Sequence, residues 1–292
     1  MNRLSCAFLC VVLFAAGCRQ PSDVELVSDE NTTNLEAYPV VLSDTNFVAI
    51  SVDSTGVLPD DQMRFNGSFV INAVTWDAGD VLKSIAYSRV FVADSTVRVL
   101  NRLVGFQGSD IGTVSLNSNL MLKIAHRISL SSIFNRDTAI VRGVQYLADL
   151  TGSYQPDHLY TWVVTNRLVP VLTVALETPE HLSVISPRGG TTHLRSRNLP
   201  IQWTGGKGKM SIIMSVYDPV RKRTRPLLDL RVRTNNGRAV IPSKLLTQLP
   251  SGTTFVLTFV LANKKESEIL QPVPGKILAQ AAFVYNSYIE LR

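Results

Sequence analysis

Four histidines, His126, His158, His181 and His193, are the side chains best suited to ligate a metal or relay a proton near neutral pH. None lies two or four residues from another, and none sits in the His-Glu-x-x-His setting that places two imidazoles on one helix face. Glycosidic cleavage needs two carboxylates roughly 5–10 Å apart in a cleft. Asp60-Asp61 follows Pro59 as a turn would, and Glu266 with Glu268 adjoins Lys264-Lys265 in an expected loop. Neither a Gly-x-Ser-x-Gly elbow, nor a phosphate-binding loop, nor a dinucleotide glycine pattern occurs. The sequence therefore predicts no catalytic residue, no metal ligand and no cofactor.

Sulfur chemistry is confined to one end. Cys6, Cys10 and Cys18 are the three cysteines, so neither a disulfide nor a thiolate metal site can form further along the chain. Charge is uneven as well. Pro21 to Asp61 holds nine acidic residues and no Lys or Arg, whereas His181 to Arg292 holds 17 Lys and Arg against 5 Asp and Glu. The densest cationic run, Arg221, Lys222, Arg223 and Arg225 after Asp218-Pro219, reads first as a solvated hairpin loop. Its functional reading is a positive field for anionic partners outside the cytoplasm: acidic glycans, lipopolysaccharide phosphates or a membrane surface. Nucleic acid is not an expected partner of an exported chain.

Export is itself an expectation from the first residues. Arg3 precedes an apolar stretch of 13 residues, Leu4 to Ala16, too short for a helix to cross the roughly 30 Å hydrocarbon core, so the segment reads as a signal peptide. It ends Ala15-Ala16-Gly17-Cys18, which resembles the bacterial lipobox, where small residues precede a cysteine that takes a diacylglyceryl group. Ala15 and Gly17 also suit an ordinary signal peptidase, and an uncleaved anchor is a third reading. Ordinary cleavage would leave a free exposed thiol at the mature end, which favours lipidation of Cys18 and a membrane partner reached through that lipid. Arg19, where Asp would signal retention, implies sorting to the outer membrane in a Gram-negative host.

The remaining elements follow from patterning. Arg19 to about Tyr38 is polar and acidic without hydrophobic periodicity, as a flexible tether would be. From Val40 onward, short alternating runs separated by turn residues predict antiparallel β structure. Val114 to Ile124 reads as one half-buried strand, and Ile85 to Ala93, Val97 to Phe106, Ala139 to Leu147 and Tyr160 to Leu176 are further candidates; Ser129 to Asp149 offers the only plausible short helix. A boundary falls at Thr178-Pro179-Glu180-His181. The predicted organisation is a signal peptide over 1–17, a tether over 18–39, a β-rich domain over 40–178 and a second β-sandwich over 182–292. Trp76 and Trp162 suit sugar stacking, but aromatic residues in strand-like runs are more often core.

Three stretches, Ile185-Ser186-Pro187-Arg188-Gly189-Gly190, Ile201-Gln202-Trp203-Thr204-Gly205-Gly206 and Ala239-Val240-Ile241-Pro242, carry a family likeness. Together they resemble the Ig-like or fibronectin-like sandwich of Ser/Thr-rich, GPI-anchored yeast cell-wall proteins, a type that recurs in bacterial envelopes. Ala239 stands where that family often has an aromatic residue. The residues agree with a sandwich on their own terms: the paired glycines permit tight turns, Trp203 is a core-sized anchor, and Asn235-Asn236-Gly237 suggests a hairpin turn. Phe255 to Ala262, apolar on both faces, predicts a central strand.

These expectations amount to a mainly β envelope lipoprotein with two antiparallel Ig-like sandwich domains, acting as a non-catalytic binding or structural module for glycans or other anionic polymers. The alternatives are a structural subunit of an envelope or secretion-related complex and a carbohydrate-active hydrolase.

Overall fold

The structure, a computed structural model, describes residues 34–39, 65–130, 138–167, 169–218, 223–249, 251–269 and 274–292. In chain order the strands are β1 (Leu35–Pro39), β2 (Gly67–Asp77), β3 (Leu82–Val99), β4 (Arg102–Gly108), β5 (Thr113–Leu116), β6 (Asn119–Leu120), β7 (Leu122–Ser129), β8 (Ala139–Asp149) and β9 (Leu159–Asn166). They continue with β10 (Val169–Glu177), β11 (Leu182–Ser186), β12 (Thr192–His193), β13 (Leu199–Gly205), β14 (Met210–Asp218), β15 (Arg223–Val232), β16 (Arg238–Ile241), β17 (Thr253–Ile269) and β18 (Gly275–Leu291). A single helical turn, α1 (Ser243–Leu246), buries Leu245 and Leu246. The chain is mainly β, as its alternation predicts.

An 11-stranded sheet forms one layer, in the order β1-β15-β14-β17-β18-β2-β3-β4-β8-β7, with β12 added beside β18. Its spine is the β17–β18 pair, in unbroken antiparallel register from Thr253 opposite Leu291 to Ile269 opposite Gly275. β17 is central because Phe255 to Leu261 are buried on both faces, which only a doubly flanked strand allows. On its other side β18 runs parallel to β2, from Ile277 opposite Gly67 to Ser287 opposite Asp77. Strands from either side of residues 178–182 therefore share one sheet, and the described residues belong to one compact unit.

The second layer consists of two small sheets, β10-β9-β5-β6 and β11-β13-β16. Both cover the same face of the large sheet. Trp162 of β9 is fully buried, meets Phe69 edge-on at 5.9 Å and donates its indole N–H to Ser88 Oγ at 3.0 Å. Trp203 of β13 is buried and donates to Asn235 Oδ1 at 2.8 Å, while His181 packs edge-on against Phe283 at 5.0 Å. Both tryptophans are core residues; Trp76 is half-buried and packs with Val74, Ala282 and Val284 on the opposite, outer face of the large sheet.

Several runs that read as one strand are hairpins. Val114 to Ile124 is broken by Asn117 and Ser118, both at positive φ (47° and 65°), which turn β5 back into β6. Leu100 and Asn101 (50° and 62°) do the same inside 97–106, and Arg167 (49°) lies at the turn between β9 and β10. Of the 129–149 segment, which offered the one plausible short helix, 131–137 lie outside the described residues, Ser129 ends β7 and 139–149 is strand β8. Leu35–Pro39, at the end of the expected tether, form β1 against β15. Asn235–Gly237 carries the chain from the large sheet to β16 of the small one instead of closing a hairpin. Glu266 and Glu268 lie within β17, exposed, not in a loop.

Candidate functional site

The outer face of β15, β14, β17 and β18 forms a groove of about 600 Å3. Alternation builds it directly. Asp229, Ile213 and Thr258 stand in one row across the strands, and Arg231, Ser211 and Val260 in the next. Ile213 and Val260 are buried and make an apolar floor, while Lys209, Arg231, Arg233 and Lys264 are exposed around it. Four cations against one lining carboxylate, Asp229, give the groove a positive field.

Strand β1 holds two of the cations in place. Arg231 stacks its guanidinium 4.4 Å over the Tyr38 ring and bonds Asp229 Oδ2 through Nε at 3.1 Å. Arg233 Nε bonds Glu36 Oε1 at 3.0 Å, and the Tyr38 hydroxyl donates to Glu36 Oε2 at 2.8 Å. The Tyr38 bond, with Arg233 and Arg231 nearby, keeps the Glu36 carboxyl below its ordinary range despite the opposing effect of desolvation. Lys209 and Lys264 have no ion-pair partner among the described residues. Asp229 presents the opposite polarity: its Oδ1 is sealed from water and has no hydrogen-bonding donor. The groove thus offers free cations for an acid and, beneath Arg231, an unmet carboxylate oxygen that a hydroxyl or amine reaches by displacing what covers it.

The cationic run singled out by composition lies elsewhere. Arg221 and Lys222 are outside the described residues, as is Cys18. Arg223 opens β15 opposite Asp218, and Arg225 is exposed opposite Val216. A β-bulge separates them from the groove: Met214 pairs with Leu228 but Ser215 with Pro226, leaving Leu227 as an extra residue. The extra residue reverses the alternation, so Arg225 shares a face with Met214 while Asp229 and Arg231 take the other. Lys209, Lys264 and Asp229 escape sequence reasoning because they come from three separate stretches, the residue just before β14, β17 and β15; the advance signal is the basic balance after His181.

A second cleft, of about 490 Å3, opens beside the Asn117-Ser118 turn and contains Leu120, Leu122, Asp149, Ser153 and His158. An acid, a serine and a histidine therefore share one hollow, but they form no relay. Asp149 accepts from Thr151 N–H at 2.8 Å, Ser153 donates to the Leu150 carbonyl at 3.2 Å, and His158 packs edge-on to Tyr160 at 5.3 Å. Among the described residues no hydrogen bond joins any two of the three. The other histidines are also engaged in packing or local bonds: His126 against Phe91 at 4.5 Å, and His193 to the Arg197 carbonyl at 3.0 Å. No group of three His, Cys, Asp or Glu among the described residues is arranged to hold a metal.

The chain matches no protein-family model, and no curated protein resembles it in sequence.

Proposed function

We propose that this protein is an exported, lipid-anchored module of a bacterial cell envelope that binds an acidic glycan in the β14–β15–β17–β18 groove. The observation that carries the reading is the pairing of opposite needs in one hollow. Lys209 and Lys264 lack anions, and the sealed Asp229 Oδ1 lacks a donor. A polymer of phosphate alone answers the first need, whereas a sugar acid answers both, carboxylate to lysine and hydroxyl to Asp229. The anchoring half of the reading rests on the short apolar leader and on Cys18.

Each half has its own test. Mature full-length protein is passed over immobilised polyuronate and over neutral dextran across a salt series. Retention on polyuronate alone, weakened and made less salt-dependent in Lys209→Ser/Lys264→Ser, supports the groove; equal retention of that variant at every salt concentration removes it. Anchoring is tested by metabolic labelling with a fatty-acid analogue, which Cys18→Ala must abolish.

A structural role in a protein complex has one observation in its favour. Leu120 and Leu122, 74% and 67% exposed, stand side by side at the mouth of the second cleft. Crosslinking in the envelope to a stoichiometric protein partner, lost in Leu120→Ser/Leu122→Ser, would establish it.

A further inference from the structure

The outer face of the large sheet holds a second cluster, separate from the groove, whose hydrogen-bonding capacity is unmet. Arg89 of β3 is half-buried, and its Nε is sealed from water without an acceptor. It makes no ion pair with any carboxylate among the described residues. Phe91, two residues along on the same face, lies opposite Ser68 of β2, whose buried hydroxyl also lacks a partner. The ring of His126, fully buried, packs on Phe91 at 4.5 Å; the Gln145 side chain and the Phe106 backbone lie beside its nitrogens, without well-formed hydrogen bonds to them. Tyr87, two residues before Arg89, accepts from Asn72 Nδ2 at 2.9 Å, so its own O–H is left to donate.

The chemistry of this set is weighted toward donors. A guanidinium has five donors and no acceptor; a serine hydroxyl, an imidazole N–H and a tyrosine hydroxyl add three more donors. The cluster itself carries a full positive charge; the carboxylate nearest in the strand register, Asp149 opposite Tyr87, is bonded to the Thr151 N–H and makes no ion pair with Arg89. Polar groups withdrawn from water are ordinarily paired, and a desolvated cation is unfavourable until an anion meets it. Burial already holds both Arg89 and His126 toward their neutral forms, and Arg89 adds to that effect on His126. Arg89 and Tyr87 are the members of the cluster that reach solvent, so an anion meets them first and reaches Ser68 and His126 only by displacing the Arg89 side chain.

From this geometry we infer that Arg89, Ser68, Tyr87 and His126 form a binding site for a single oxyanion group, a carboxylate, sulfate or phosphate. The site is independent of the acidic-glycan groove, lying two strands beyond Gln280 along the row Gln280, Val70, Arg89. A planar fork such as guanidinium suits two oxygens of one such group, with the hydroxyls and imidazole taking the rest.

The test titrates the full mature chain separately with sodium acetate, sulfate and phosphate, against chloride at equal ionic strength. The readouts are the His126 ring resonances and the melting temperature. Saturable movement of the His126 signals with at least one of the three anions, together with a raised His126 pKa, is the expected result. Arg89→Met should bind that anion at least about tenfold more weakly, losing a charge-assisted pair. In anion-free buffer Arg89→Met should melt no lower than the wild type, since it removes an unpaired charge. Arg89→Lys, which keeps the charge, serves where Met does not fold, and should retain weakened binding. Any general stabilisation by sulfate appears equally in wild type and Arg89→Met and is subtracted. A saturable response undiminished in both Arg89 variants, or none with any of the three anions, overturns the site. The Lys209→Ser/Lys264→Ser variant should respond as the wild type does; loss of the response there would place the anion in the groove and also overturn this site.

Discussion

The hydroxyl of Tyr285 on β18 donates to Asp77 Oδ2 at the end of β2, at 2.7 Å and buried from solvent. Two backbone amides complete the carboxylate: Gly189 N–H to Oδ2 and Gly79 N–H to Oδ1, each at 3.0 Å. One carboxylate thereby ties together the β2–β3 turn, the loop after β11 and the spine of the large sheet. Burial alone would raise the Asp77 pKa, but the Tyr285 bond, the two amides and nearby Arg188 hold it below its ordinary 3.8; Tyr285 is pushed up to about 12 by burial and by this carboxylate.

Asp77→Asn should therefore change stability and its acid dependence together. With a folded pKa below the unfolded one, the wild type has this stabilisation in full above the unfolded value. It is lost as the unfolded chain takes up its proton and the pH then falls through the folded value. Urea melts between neutral pH and about pH 3 should show a shallower acid decline in Asp77→Asn, with a loss of about 2 kcal/mol at neutral pH. An acid decline identical to that of the wild type would assign the acid sensitivity to other carboxylates.

Gly189→Ala tests the same junction by shape. A Cβ there would lie 2.1 Å from the Asp77 carbonyl oxygen, a rigid backbone atom. The residue is glycine because two backbones approach closely, in contrast to its neighbour Gly190, which has φ +73°. The substitution should cost about 3 kcal/mol. Chemical denaturation of the full mature chain should find it far more damaging than Gly152→Ala, where nothing lies within 4 Å and only the φ of +84° opposes a side chain.

How far the fold is legible in the sequence can be judged at its turns. The continuous apolar run from Phe255 to Ala262 correctly marks a central strand, because burial on both faces is written directly into residue types, and β17 is flanked on both sides with Phe255 to Leu261 buried. Alternation fails at Asn117-Ser118 and Leu100-Asn101, where a two-residue reversal uses no glycine and leaves it nearly unbroken. The same blindness hides the groove. Leu227 is one ordinary apolar residue among many, yet as a bulge it decides which face each basic residue of β15 takes. Lys264 meets Lys209 and Arg231 only through strand pairing across long sequence separations, which composition reports as a basic excess without a location.

The Asn117-Ser118 turn leads to a gain-of-stability prediction. Both residues are left-handed, as a type I′ turn requires, and Asn-Gly is the pair best suited to it. Asn117 also accepts from Thr161 N–H at 2.8 Å through Oδ1 and should be kept. Ser118→Gly should therefore stabilise the chain by about 0.5 kcal/mol, relief of the positive φ outweighing the added freedom of the unfolded chain. A lower denaturation midpoint in that variant would show that Ser118 makes a contribution beyond its backbone conformation.

Asp229 separates two kinds of ligand for the groove. Its Oδ2 partly neutralises Arg231, so Asp229→Asn raises the net positive charge and should tighten any ligand recognised by charge alone, polyphosphate included. For a sugar acid the same change replaces a carboxylate acceptor with an amide, weakening the bond offered to a hydroxyl. Polyphosphate affinity should then rise and polyuronate affinity fall, the latter by about tenfold for one charge-assisted hydrogen bond. Parallel titrations of wild type and Asp229→Asn with both polymers at fixed ionic strength read this directly. A rise for both polymers would mean that the groove recognises charge without regard to the sugar.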